Sequence, residues 1–287
     1  MRFENRLPVE DLYTDDIHPL KEFAWLLGGS LALILGLALV IGFLASEIAA
    51  HLPYSVERDY ALGLGKHLDK GPLDSRDLAA RAALRELSES LARDMNLPSD
   101  MKIDVHYNDA PIVNAFATLG GNVVVFRGLI EKLESEEALA MVLAHEMAHI
   151  RHRHPVRAMG RGLAVGLLLS TVSSSLGEMA GNPLSKTGSL SLLKYSRDQE
   201  READEAAFKA LGKRYGQLRG AQEVFTLFDA LHGNKTQIAL LQTHPLTEER
   251  RLNLVALARQ TGLSLSGKTR SLPAPLATLG RQKPRPG

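Results

Sequence analysis

Residues 136–154 read EEALAMVLAHEMAHIRHRH, and this stretch scans as a helix. Ser135 is a candidate N-cap, Glu136 and Glu137 fall in the first turn, where the helix dipole favours anions, and Pro155 bounds the far end. Side chains four apart on a helix share a face. The imidazoles of His145 and His149 can therefore grip one ion, while Glu146 beside them reaches a metal-held water. That is the pattern of a zinc hydrolase. The positions around the motif (Val142, Leu143, Ala144, Met147, Ala148 and Ile150) are small or apolar, which places the helix inside a domain; a surface helix with two accidental histidines would be more polar.

A hydrolytic zinc site takes three protein ligands and keeps one position open for water. The candidate for the third lies in YSRDQEREAD, residues 195–204, a second helical stretch with Ser196 as a possible cap. If Glu200 binds the metal, Asp204 follows one turn later on the same face, where a carboxylate can accept the free ring N–H of a ligand histidine and fix its tautomer. The competing reading makes Glu200, Glu202 and Glu205 a solvated face paired with Arg197, Arg201 and Lys209. The HEMAH motif upstream favours the ligand reading.

The rest of the composition narrows the classes. In 287 residues there are 34 basic and 33 acidic side chains and no cysteine. A net charge of +1 gives no overall drive toward nucleic acid. Without cysteine there is no thiolate nucleophile and no thiolate metal ligand, so any metal must be held by His, Asp or Glu. Residues 23–46 carry no formal charge, and their 24 residues suffice to cross a bilayer core of about 30 Å. Residues 1–22 hold three basic and six acidic side chains, unlike the positive leader of a cleaved signal peptide, so an uncleaved anchor is expected. The basic residues flanking it lean toward an internal N-terminus, with the large domain outside the cytoplasm.

Outward from the motif the expected layout is a tail at 1–22, the anchor at 23–46, a polar connector at 47–74, the main domain at 75–262 and a basic, Pro-rich disordered tail at 263–287. Apolar residues at helical spacing mark a helix from Ser75 to Met95. Three extended runs follow, around Ile103–Tyr107, Ile112–Thr118 and Asn122–Phe126, read as a small antiparallel sheet. The apolar run at 162–176 is short for a span and is expected as a buried or membrane-touching helix. The fold class is α+β, mostly helical, with a short sheet above the HEMAH helix.

HEMAHIRHRH, YSRDQEREAD and THPLTEERRLNL, preceded by NAFATLGGNVVVFRGL, together resemble the zinc metallopeptidase family that includes HtpX, the CaaX prenyl proteases and the BepA-type periplasmic proteases. The likeness covers about residues 75–260 and lies nearest the single-domain, Oma-like branch. It implies a gluzincin-like domain with one zinc per chain held by His145, His149 and Glu200, with Glu146 as the catalytic carboxylate and Asp204 in support. His154 matches the Arg-His pair ending the family's first motif, whereas His152 falls at a variable position. His244, in the family's His-Pro motif, is expected to face the zinc, as an oxyanion donor or as a reversible fourth ligand. Arg250 occupies the motif's arginine position and is expected to pair with Glu200 or Asp204, to fix the loop, or to contact substrate. Asn122, Val123, Val124 and Val125, with the family pattern at Asn114 and Ala115, are expected to form the edge strand that takes the substrate as an added strand.

The reaction so implied is peptide-bond hydrolysis, with Glu146 as general base. Expected partners are membrane-associated or unfolded proteins, in membrane or envelope quality control, and a membrane engaged through residues 23–46; no nucleic acid is expected. Two other functions compete: a zinc-binding chaperone or adaptor with a latent site, and a membrane-tethered interaction module with a coincidental motif. His18, His51, His67, His106 and His232 stand outside any constellation.

Overall fold

The computed structural model describes residues 19–68, 74–172, 195–231, 240, 243–245 and 247–279, without the side chains of 62–67 and 164–172. Residues 1–18 with His18, residues 232–239 with His232, the end of the 162–176 run and residues 280–287 lie outside the described residues. In chain order come α1 (Pro19–His51), α2 (Tyr54–Leu68), α3 (Ser75–Asp94), β1 (Asp104–Asn108), β2 (Ala115–Ala117), a 3-10 turn (Leu119–Gly121) and β3 (Asn122–Phe126). These are followed by α4 (Arg127–Ile130), α5 (Glu136–Arg151), α6 (His154–Val172), α7 (Arg197–Tyr215), α8 (Arg219–Leu231), α9 (Glu248–Thr261) and α10 (Ala274–Ala277).

α5 is the central element. Ser135 caps it, its side chain accepting from the Ala138 N–H, and every residue from Glu137 to Ile150 is buried. Such a helix has neighbours on all sides: α7, α8, α3 and the sheet pack around it. α8 comes so close that a Cβ on Gly220 would stand 2.2 Å from the Glu137 carbonyl oxygen, so this crossing requires glycine. α7 starts with a reciprocal capping box between Ser196 and Gln199 and stops at Gly216, whose φ of +68° suits glycine.

The sheet differs from expectation in one respect: it is mixed. Its order is β1-β3-β2, with β1 parallel to β3 and β2 antiparallel to it. The turn at Leu119–Gly121 folds β3 back along β2, and β3 then inserts between β2 and β1. Alternation of apolar residues encodes which face is buried but not which neighbour a strand takes.

α1 is 33 residues long and exposed all round from Pro19 to Leu37, with enough length and apolar character to cross a membrane. Its C-terminal half is different: Gly42, Ser46 and Ala49 are buried. There α6 crosses it at Gly160, where a Cβ would lie 2.7 Å from the Ala45 carbonyl oxygen. An Arg157–Glu47 ion pair at 2.5 Å joins the two helices. The stretch expected as a connector is helical in α2, which is tied to the domain by Tyr54 Oη donating to the Lys102 carbonyl (2.8 Å) and by the Gly120 N–H donating to Glu57 (2.8 Å).

The C-terminal segment also corrects an expectation, because its described part is not a disordered tail. The Glu136 N–H donates to the Arg270 carbonyl and the Arg270 N–H to the Glu137 carboxylate, both at 2.9 Å, and Leu276 and Leu279 are buried in the core. Basic and proline-rich composition masked two leucines that cover α3.

Candidate metal centre

The buried face of α5 presents His145 and His149, the first turn of α7 presents Glu200 opposite them, and His244 descends from the segment before α9. Ligand-type atoms of these four buried side chains all lie within 4.8 Å of one another. His145 Nε2 is 3.1 Å from His149 Nε2 and 3.5 Å from Glu200 Oε2; His149 Nε2 is 3.5 Å from Glu200 Oε1. His244 Nδ1 is 3.3 Å from His145 Nε2 and 2.8 Å from Glu200 Oε1. Ligands about 2.0–2.1 Å from a tetrahedral ion stand about 3.3 Å apart, so this spacing fits one such ion. The all-imidazole and carboxylate donor set suits zinc among the common biological cations.

Glu146 turns away from the cluster of ligand atoms toward β2. Its Oε2 accepts the Ala117 N–H at 2.8 Å, while its Oε1 lies 3.6 Å from His244 Nε2 and has no hydrogen-bond partner among the described residues. Burial pushes the Glu146 carboxyl up, against the His244 and His145 rings that pull it down. A raised carboxyl with one bare oxygen is suited to taking up a proton.

Arg250, at the start of α9, joins two of the acids. It grips Asp204 with Nε and Nη2 at 2.7 and 2.8 Å, reaches Glu200 Oε2 with Nη1 at 2.8 Å, and donates to the Pro245 carbonyl at 3.1 Å. Asp204 Oδ1 in turn lies 3.0 Å from His145 Nδ1. Burial opposes ionisation of both acids, but Arg250 beside Asp204, and His244 and His145 beside Glu200, hold both carboxyls low. Arg250 is buried in these contacts, so it braces the acids and the loop.

The expected substrate strand needs correction. Asn122, Val123, Val124 and Val125 lie on β3, the central strand, hydrogen-bonded on both sides and buried, so they present no free edge. Asn122 is further occupied, its Oδ1 2.9 Å from His106 Nε2 and its Nδ2 donating to the Leu119 carbonyl. Ala115 instead begins β2, an edge strand on the side of Glu146, and Asn114 immediately precedes it. A valine run buried on both faces signals a strand interior to the sheet.

Tyr195 is a site residue that motif reasoning passed over. Its ring stacks on His149 at 3.9 Å between centroids, and its buried hydroxyl has no partner among the described residues. Its position just before the Ser196 cap, one turn ahead of Glu200, was the available signal. An apolar cleft lined by Val142, Val224, Phe225, Phe228 and Leu240 opens beside His145, Glu146 and His244.

Comparison with known proteins gives the same outline. The model of "Peptidase family M48" matches residues 79–258. The chain is 33% identical over 159 residues to a putative beta-barrel assembly-enhancing protease of Vibrio cholerae, covering 52% of this chain and 33% of that protein. It is 32% identical over 155 residues to mitochondrial metalloendopeptidase OMA1 of Schizosaccharomyces pombe (53% and 45% covered). It is likewise 32% identical over 142 residues to metalloprotease YcaL of Escherichia coli (48% and 55% covered). The chain thus spans about a third to just over half the length of these relatives.

Proposed function

The chain belongs to peptidase family M48, and on that premise we propose that it is a zinc-dependent endopeptidase anchored in a membrane by α1. His145, His149 and Glu200 hold the metal, and Glu146 is the general base. The observation that carries this reading is the ligand spacing of the four buried side chains next to the bare Glu146 Oε1. When bound, zinc supplies Lewis acidity, lowering the pKa of a water and polarising the scissile carbonyl. Glu146 Oε1 takes the proton of the attacking water and returns it to the leaving amine, while the Ala117 N–H holds the other oxygen in place. Asp204 orients His145, and Arg250 keeps Asp204 ionised and pairs with Glu200.

β2 supplies the substrate edge: a peptide adds to it as a strand beside Asn114 and Ala115 and sets an apolar side chain in the cleft lined by Val224 and Phe228. His244 is the reversible fourth ligand that closes the open position. Its Nδ1 stands at ligand distance from His145 and Glu200, and the Leu240 N–H meets the Val113 carbonyl at 3.5 Å, next to that edge. The chain at rest is therefore latent, which accounts for the chaperone-like alternative within one mechanism. The domain faces away from the cytoplasm and acts on unfolded or membrane-near proteins in quality control, in keeping with relatives named for β-barrel assembly and mitochondria.

Casein cleavage by the full chain in detergent tests the proposal. Cleavage that stops with a zinc chelator and with Glu146→Gln supports it, and cleavage surviving Glu146→Gln contradicts it. His244→Ala raises basal cleavage if the histidine is the closing ligand; a loss of activity would make it an oxyanion donor instead.

A further inference from the structure

Once ligands and base are assigned, His154 still lacks a role, although it is only 2% exposed. It stands five residues after His149, across a break in the helix. α5 ends at Arg151, Arg153 adopts a left-handed φ of +64°, and α6 begins at His154. This turn carries the His154 ring back over the end of α5, so that its Nδ1 lies 2.8 Å from His149 Nδ1. On its other side, Nε2 lies 3.1 Å from Glu202 Oε2, on α7 two residues beyond Glu200.

With neutral rings, one arrangement of protons satisfies this row of contacts. An ionised carboxylate only accepts, so His154 Nε2 carries the hydrogen that faces Glu202. The Nδ1 of a neutral ring protonated at Nε2 is a lone pair, so it accepts, and the donor facing it is the Nδ1–H of His149. His149 Nε2 is then the bare nitrogen, and it is the one that faces His145 Nε2 and Glu200. We infer that His154 and Glu202 form a relay that fixes the tautomer and ring orientation of His149, turning its Nε2 lone pair to the metal. The inference rests on the reading of His149 as a ligand. On its Nδ1 side His145 has a carboxylate directly, Asp204 at 3.0 Å, whereas the Nδ1 of His149 leads to Glu202 through the His154 imidazole. His154 and Glu202 are positioning residues, and nothing here requires either to meet the substrate. Partners of this kind tune metal affinity by about 10–100-fold when removed.

The test is the zinc dissociation constant of the detergent-purified full chain, by competition with a chromophoric chelator, for the wild type, His154→Phe, His154→Asn and Glu202→Leu. His154→Phe keeps a ring without an acceptor, whereas His154→Asn places a carbonyl oxygen near the position of the lost Nδ1. The relay predicts about 10–100-fold weaker binding for His154→Phe, recovery to within about threefold of wild type for His154→Asn, and an intermediate loss for Glu202→Leu. A His154→Phe protein that binds like wild type overturns the inference, as does a His154→Asn protein no better than His154→Phe. If His154→Phe does not fold, the Glu202 side chain, 54% exposed, provides the decisive variant, and unchanged affinity there overturns the relay. A wild type that binds no zinc at all removes the metal reading itself, an outcome distinct from failure of the relay alone.

Discussion

At the scale of single residues, the centre is set by which proton each histidine carries before a metal arrives. Burial disfavours the charged form of His145, yet the Asp204 and Glu200 carboxylates outweigh it and raise its pKa to about 10. His149 goes the other way, held well below its ordinary value by burial and by the charge of His145 beside it. Zinc takes only the unprotonated ring nitrogen, so uptake at pH 7 should release about one proton, from His145. Calorimetry in buffers of different ionisation heat measures this; a binding heat independent of buffer would contradict it. In the metal-free protein the His145 contribution to stability is complete below about pH 6.5 and is lost as the pH rises through about 10. Thermal melts of the chelated protein should therefore weaken across that range, and melts flat in pH would count against it. Asp204→Ala leaves Arg250 buried without its bidentate partner and frees the His145 ring, so both zinc affinity and melting temperature should fall, the latter by the equivalent of about 3–5 kcal/mol.

Among the elements, those read from the sequence with their boundaries nearly intact are the ones whose signals are local. α5 keeps its Ser135 cap, α7 its Ser196 cap, and α3 ends one residue before Met95. These depend on side chains that cap the helix or repeat along it. What escaped are features fixed by distant partners: β3 sits between β1 and β2, and the basic C-terminal stretch lays Leu276 and Leu279 into the core. Neither the order of strands nor the docking of a leucine in a Pro-rich segment has a local signature. The latter is testable: Leu276→Ala should destabilise the domain by about 2–5 kcal/mol in denaturant melts, whereas a solvated tail would give no change. The site follows the same division. His145 with His149 and Glu200 with Asp204 follow from four-residue spacing on two helices, and Glu146 from its place beside His145. The stacking of Tyr195 on His149, the Ala117 N–H on Glu146 and the contact of His154 with Glu202 are set by tertiary packing.

For the whole molecule, the candidate metal centre is tied to the long N-terminal helix by a short path. α6 leaves the end of the HEMAH helix and packs against the C-terminal half of α1, while Arg153 reaches Glu57 on α2 and the Leu52 carbonyl just past the end of α1. The site thus stands close to the end of the apolar segment, where a membrane-anchored enzyme would meet substrates at the bilayer surface. Because the chain has no cysteine, single-cysteine variants report cleanly on burial in lipid. In proteoliposomes Leu33→Cys should resist a water-soluble maleimide while Ser90→Cys, on α3 in the globular part, reacts after unfolding in detergent and serves as the labelling control; rapid labelling of Leu33→Cys in intact vesicles would contradict the anchor. The most direct test of the central claim is the zinc content per chain of the full-length wild type, Glu146→Gln and Glu200→Ala after exhaustive dialysis. About one zinc is expected in the first two and a large loss in the third, with Glu146 proposed as the base and Glu200 as a ligand. A wild type without zinc, or a Glu200→Ala protein that retains it fully, would contradict the account.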